Sequence, residues 1–170
     1  MRARLAAGPV ARAVAKADLR VYRVVRRAAR PPVSDVVAAY SRLGEHGAIW
    51  LALGAGGVVL DGRPAWRRGL VAVGAAYLAN VALKTVARRQ RPAFEDLPAL
   101  VKTPTQLSFP SSHSTASFAA ARAYSAVLPA GPLYVAAGAM AASRVYLGVH
   151  FPSDIAVGAC LGTLVGSAAR

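Results

Sequence analysis

The sequence predicts an all-α integral membrane bundle of about five transmembrane helices, preceded by a basic amphipathic helix on the membrane surface. Three observations carry that expectation. Of the 170 residues 55% are hydrophobic and only 16% charged, with mean hydropathy +0.39, yet the formal net charge is +14. The apolar residues gather in blocks rich in Ala, Val, Leu and Gly, near the length that crosses a hydrocarbon layer about 30 Å thick. Finally, 10 of the 21 basic residues fall in the first 42 positions, as a flank rather than a surface pattern. A soluble nucleic-acid binder would spread its Lys and Arg over a polar surface with aromatic platforms between them, so nucleic acid is not an expected partner. Cys160 is the single cysteine and sits in the last apolar block, which excludes a disulfide framework or a cysteine-based metal site.

Residues 9 to 30 interleave Arg12, Lys16, Arg20, Arg23, Arg26, Arg27 and Arg30 with valines and Leu19. The apolar residues never form the uninterrupted run of a signal peptide, so this reads as a basic helix lying on anionic lipid, ended by Pro31-Pro32. Residues 1–32 are therefore expected as a surface segment and residues 33–170 as the membrane-embedded domain. A first span is expected from Gly44 to Leu60, short and extended upstream, with Arg42, Glu45 and His46 at its start and Asp61 to Pro64 as the closing turn. A helix-end role is expected for His46. The second span runs from Gly69 to Val86, followed by a polar connection from Gln90 to Pro110 too long for a simple turn. The third runs from Ser111 to Leu128, with Arg122 near its middle facing the bundle or snorkelling to an interface. The fourth covers Leu133 to Leu147 and the fifth Ile155 to Ala168, where Gly138, Ala141, Gly158, Gly162 and Gly166 permit close helix contact.

Three motifs converge on one side when these spans are threaded back and forth. Lys84 and Arg91 are seven apart, so both are expected on one face of the second helix, which Pro92 stops. Taken alone, a basic fringe at the end of a span explains them. Pro110-Ser111-Ser112-His113 opens the third helix, where a serine can cap it, backbone amides and the dipole point at an anion, and His113 stands in the first turn. Ser143-Arg144 precedes His150 and Asp154, which lie four apart. A helix starting near Pro152 lets the carboxylate fix the imidazole tautomer and leaves the other ring nitrogen as base or nucleophile, while Arg144 offers a fork of donors to a phosphate.

Together, Lys84 with Arg91-Pro92, then Pro110-Ser111-Ser112-His113, then Ser143-Arg144 with His150 and Asp154 resemble the three-part signature of the type 2 phosphatidic acid phosphatase family. The spacings K-x6-R-P and S-R-x5-H-x3-D are met without a gap. One departure is Ser112, where the family usually has glycine; the amide it must donate remains. The resemblance implies a membrane phosphatase acting on a lipid phosphomonoester. His150 would attack phosphorus, Asp154 would orient it, and His113 would protonate the leaving oxygen. Lys84, Arg91, Ser111, Arg144 and the amides near Ser112 would hold the phosphoryl oxygens. The resemblance implies no metal or other cofactor, and the three histidines and seven acidic residues do not cluster at ligand spacings. Expected substrates are phosphatidic acid, phosphatidylglycerol phosphate, a polyprenyl diphosphate or a polyprenyl-linked sugar phosphate. The same motifs resemble those of vanadate-dependent haloperoxidases, which are larger and soluble. A non-catalytic membrane adaptor would explain the charge but not the motifs, and removing residues 1 to 30 is expected to abolish an adaptor while sparing an enzyme's chemistry in detergent. Five spans put 16 basic residues on the site's side against 4 on the other, and 13 against 4 without Lys84, Arg91 and Arg144, so a cytoplasmic site in the inner membrane is expected.

Overall fold

A computed structural model describes residues 8–169. Arg2, Arg4 and Arg170, which enter the charge count, lie outside the described residues, as does the start of the 1–32 segment. The helices are α1 (Pro9–Arg27), α2 (Pro31–Leu43), α3 (Ala48–Leu60), α4 (Pro64–Ala87), α5 (Ser112–Tyr124), α6 (Ala130–Tyr146) and α7 (Pro152–Ala168), with a 3₁₀ turn over Glu45–Gly47. Among the described residues no named strand forms, and an isolated bridge joins Gln90 to Leu107.

Proline opens α1, α2, α4 and α7, where its missing N–H costs nothing and its fixed φ suits the first turn. This corrects two expected boundaries. Pro31-Pro32 start α2 as well as separating it from α1, and α4 begins in the expected turn at Pro64, whereas α7 starts at Pro152, as the His150–Asp154 spacing requires, three residues before the expected fifth span. The expected first span is a bent pair: α2 and the Glu45–Leu60 segment meet at 45°, with positive φ at His46 and Gly47. Among the described residues α4 alone is long and apolar enough to cross a membrane, and the bent pair passes the same test as one span.

α5 is the central helix, packed against α4, α6 and α7. Small residues make that possible, for Ala116, Ala119, Ala120, Ala121 and Ala123 are all buried. Its buried hydroxyls are satisfied internally: Ser114 donates to the Ile155 carbonyl at 2.7 Å and Thr115 to the Ser111 carbonyl at 3.0 Å. α7 lies against it along Gly158, Gly162 and Gly166. Gly138, expected in the same role, has open space around its Cα. α5 also ends at Tyr124, so Arg122 sits in the last turn and not in the middle of a span, where its charge suits the helix dipole.

Large apolar side chains remain on the outside, including Val71, Leu78, Val135 and Leu164, each at least 69% exposed. α1 crosses the end of the bundle where α6 stops and α7 starts. It buries Asp18, Tyr22 and Arg26, spaced one helical turn apart, and leaves Arg20, Arg23 and Arg27 exposed. Tyr22 donates toward the Gly148 carbonyl at 3.4 Å, and Arg26 donates to the carbonyls of Tyr146 at 3.2 Å and Pro98 at 2.5 Å.

Candidate active site

The end of α4, the start of α5, the end of α6 and the loop before α7 surround a cavity of about 500 Å³. Lys84, Arg91, Ser112, His113, Arg144 and His150 all line it. Ser111 and Asp154 are fully buried just behind them.

His150 is 2% exposed in the short loop between α6 and α7. Arg91 Nη1 lies 3.0 Å from its Nε2. A guanidinium can only donate, so Nε2 carries the lone pair and the proton sits on Nδ1. Nδ1 faces Asp154 Oδ2 at 3.5 Å, the outer edge of hydrogen-bond reach, and has no other partner. Burial pushes the imidazole down to about 3; Asp154 works the other way, and Arg91 and Arg144 add to the lowering. His150 is thus a neutral ring with Nε2 turned toward a cationic group.

Asp154 is held from four directions. Oδ2 accepts from the Phe151 amide at 2.8 Å and the Ser108 hydroxyl at 2.9 Å, besides facing His150, and Oδ1 accepts from Arg89 Nη1 at 2.8 Å. Arg89 also stacks over the Phe151 ring, 4.4 Å from its centroid.

Arg91 reaches the site by another route than the expected helix face. α4 ends at Ala87 with Arg88 left-handed at φ 51°, because the Pro92 ring would collide with the Arg88 carbonyl in a continued helix. The chain then folds back on itself: the Arg91 amide donates to the Gln106 carbonyl at 3.0 Å and the Ser108 amide to the Arg89 carbonyl at 2.8 Å. Arg91 Nε meets the Thr105 carbonyl and Nη1 the Val149 carbonyl, each at 2.8 Å. Its burial lowers the guanidinium to about 10, against the pull of Asp154. Lys84 donates to the Pro110 carbonyl at 2.9 Å and toward Leu107 and Ser108. The long connection therefore aims both cations.

At the start of α5, Ser111 is the N-cap by position, but its hydroxyl makes no capping bond and is buried without a partner. The expected capping role gives way to a free donor beside the helix N-terminus. Ser112 turns its hydroxyl to Asn80 Oδ1 at 2.6 Å, and Asn80 donates in turn to Thr115 at 2.9 Å, so the side chain standing in the usual glycine's place is tied back to α4. His113 Nε2 lies 3.2 Å from the Ser41 carbonyl, which can only accept, so the proton of the neutral ring sits on Nε2 and Nδ1 keeps the lone pair that can take up a second proton and return it. Arg144 is 6% exposed, bonds the Ser41 hydroxyl through Nη1, and has its Nε buried without a partner.

The motifs did not reveal Ser41, Asn80, Arg89, Ser108 or Asp18. Asn80 alone left a signal, as a polar residue inside an apolar run. His46, expected only as a helix end, lines the cavity with its Nδ1 2.8 Å from the Tyr77 hydroxyl. Among the described residues no group of three or more His, Cys, Asp or Glu gathers as a metal would need.

Comparison with known proteins decides the family. The model of the PAP2 superfamily matches residues 66–170, more than half of the chain. The chain belongs to the PAP2 superfamily. It is 46% identical to the decaprenylphosphoryl-5-phosphoribose phosphatase of Mycolicibacterium smegmatis over 77% of this chain and 74% of that one. The enzyme of the same name from Mycobacterium tuberculosis is 42% identical over 81% and 79%. Among solved structures, LpxE of Aquifex aeolicus superposes with TM-score 0.78 and 25% identity over 89% of this chain and 93% of that one. The transmembrane PAP2-type phosphatidylglycerolphosphate phosphatase of Bacillus subtilis gives 0.74 and 27% over 92% and 84%. This PAP2 protein is accordingly a membrane lipid-phosphate phosphatase, a phosphoric monoester hydrolase.

Proposed function

We propose that the chain removes the terminal phosphate of decaprenylphosphoryl-5-phosphoribose through a phosphohistidine at His150. The substrate follows from the two mycobacterial relatives. The chemistry rests on one observation above the others: the neutral His150 ring with its Nε2 lone pair facing Arg91 and its Nδ1 toward Asp154.

Nε2 attacks phosphorus, forming the N–P bond as the bond to the leaving oxygen breaks. Asp154 stabilises the imidazolium character that develops on Nδ1–H. His113 enters as the imidazolium, gives its Nδ1 proton to the leaving oxygen, then takes one back from the water that attacks the phosphohistidine, which releases inorganic phosphate and the free His150 ring and restores the imidazolium. Lys84, Arg91, Arg144, the Ser111 hydroxyl and the Ser112 amide hold the three phosphoryl oxygens, whose charge spreads in the transition state. The unpartnered Ser111 Oγ and Arg144 Nε are donors of the kind such oxygens would engage. The reaction needs no metal.

In the membrane the bent α2–α3 pair, α4, α5, α6 and α7 make five crossings, with residues 33–170 as the embedded domain and residues 1–32 as a segment on anionic lipid. The charge asymmetry supports a site on the cytoplasmic face of the inner membrane. The test is phosphate release by purified protein with EDTA present, from decaprenylphosphoryl-5-phosphoribose, phosphatidylglycerophosphate and phosphatidic acid, beside His150→Ala. The first substrate is expected to lead, with release lost in the variant. Preference for either of the others would overturn the substrate, and release requiring a divalent metal would overturn the mechanism.

A further inference from the structure

α1 contains six basic residues and one acidic residue, Asp18. An acid placed to moderate that charge would face water beside its neighbours. Asp18 is instead 2% exposed and points into the end of the bundle. Its Oδ1 accepts from the Ser153 amide at 2.8 Å, and Oδ2 accepts from the Ser153 hydroxyl at 2.6 Å and Arg89 Nη2 at 2.7 Å.

Each of these partners bears on Asp154. Ser153 lies in the first turn of α7, whose N-cap residue Phe151 has no side-chain acceptor, so Asp18 satisfies an otherwise orphaned helix amide from a different element. Arg89 spans the two carboxylates, Nη2 on Asp18 and Nη1 on Asp154 Oδ1 at 2.8 Å, and Nη1 also reaches the Ser153 hydroxyl at 2.6 Å. A carboxylate suits the position because all three neighbours donate to it; an amide would aim an N–H at one of them.

We propose that Asp18 is a positioning residue for the phosphatase reaction. It fixes Arg89 and the first turn of α7, and through them the rotamer of Asp154 that holds His150 in its reactive tautomer. The inference rests on the reading of His150 as nucleophile. It also replaces the expectation that residues 1 to 30 can be removed without loss of chemistry.

The test uses the full-length protein in detergent and follows kcat, KM, the Ki of inorganic phosphate, the rate of phosphoryl transfer to the enzyme and the thermal midpoint. Asp18→Asn keeps the shape and is expected to lower kcat and the transfer rate about tenfold to a hundredfold, the size of a small misplacement of a reacting group. KM and Ki should stay within about twofold, because the cations that hold phosphate are untouched. Arg20→Gln, on the exposed face of α1, should match the wild type. Combined with Arg89→Met, Asp18→Asn should add little to the loss already caused. Ser153→Ala, which leaves α1 intact, should repeat the pattern at smaller size and supplies the answer if Asp18→Asn does not fold. Unchanged kcat in Asp18→Asn or Ser153→Ala, additive losses with Arg89→Met, or a Ki that rises in step with the fall in kcat and thermal midpoint would each overturn the proposal. A fully active His150→Ala would instead overturn the reading beneath it.

Discussion

Three histidines line one cavity, and what meets each ring separates the parts of His113 and His150. His150 has a cation at Nε2 and a carboxylate beside Nδ1; His113 has a backbone carbonyl at Nε2. Only the first arrangement fixes a lone pair toward an incoming phosphate and stabilises positive charge behind it. Asp154→Asn keeps the shape but permits the wrong tautomer, so kcat should fall by about 10²- to 10⁴-fold with the thermal midpoint little changed, as stopped phosphate-release assays and melts can measure. The burial of His150 has a second consequence. Its folded value near 3 lies below the ordinary 6.5, so between those limits the unfolded chain takes up the proton more readily. Its contribution is whole above about pH 6.5 and is lost as acid is added, at up to about 1.4 kcal/mol per pH unit. Melts of the wild type should therefore fall more steeply between pH 7 and pH 4 than those of His150→Gln; equal slopes would contradict the burial. At this scale the sequence displayed the motif residues, because their spacing is rigidly set. It hid Asp18 and Ser41, which act from distant positions, and Arg89, which fills a place the first motif leaves open; all three residue types are ordinary at the surface.

Among elements, the contact between α5 and α7 decides how closely the second and third motifs approach. A Cβ at Gly162 would press on the backbone of α5, at the Thr115 carbonyl and 2.9 Å from the Ala119 nitrogen, where nothing flexible can give way. Gly162→Ala should therefore cost about 1–3 kcal/mol and lower activity by shifting Ser111 and His113 away from His150. Gly138→Ala, with open space around it, should be neutral or slightly stabilising. Thermal melts of the two variants test this directly. An all-helical chain was legible from the apolar blocks, but helix number was not, since the expected first span is two helices, α2 and α3, and helix starts were only partly legible. Proline at a first turn resembles proline in a turn until the following residues are known to be helical, which is why Pro31 and Pro64 fell on the wrong side of their boundaries. The fold-back of the Gln90–Pro110 connection left no periodic pattern at all, since backbone carbonyls do most of its positioning.

Across the whole molecule, the bundle exposes apolar side chains around its middle and gathers polar chemistry at one end. α1 closes that end with one face of buried polar groups and another of exposed cations. The composition disclosed the membrane setting and the basic flank, because both depend on sums over many residues. The composition could not show that α1 is built into the site, because that depends on a single buried carboxylate. The account predicts a covalent intermediate on one named atom. Purified protein mixed with substrate, quenched in alkali within a turnover and mapped by mass spectrometry should carry a phosphoryl group on the peptide containing His150, and His150→Ala should carry none. Full turnover by the wild type with no phosphoryl group trapped on that peptide, or release undiminished in His150→Ala, would contradict it.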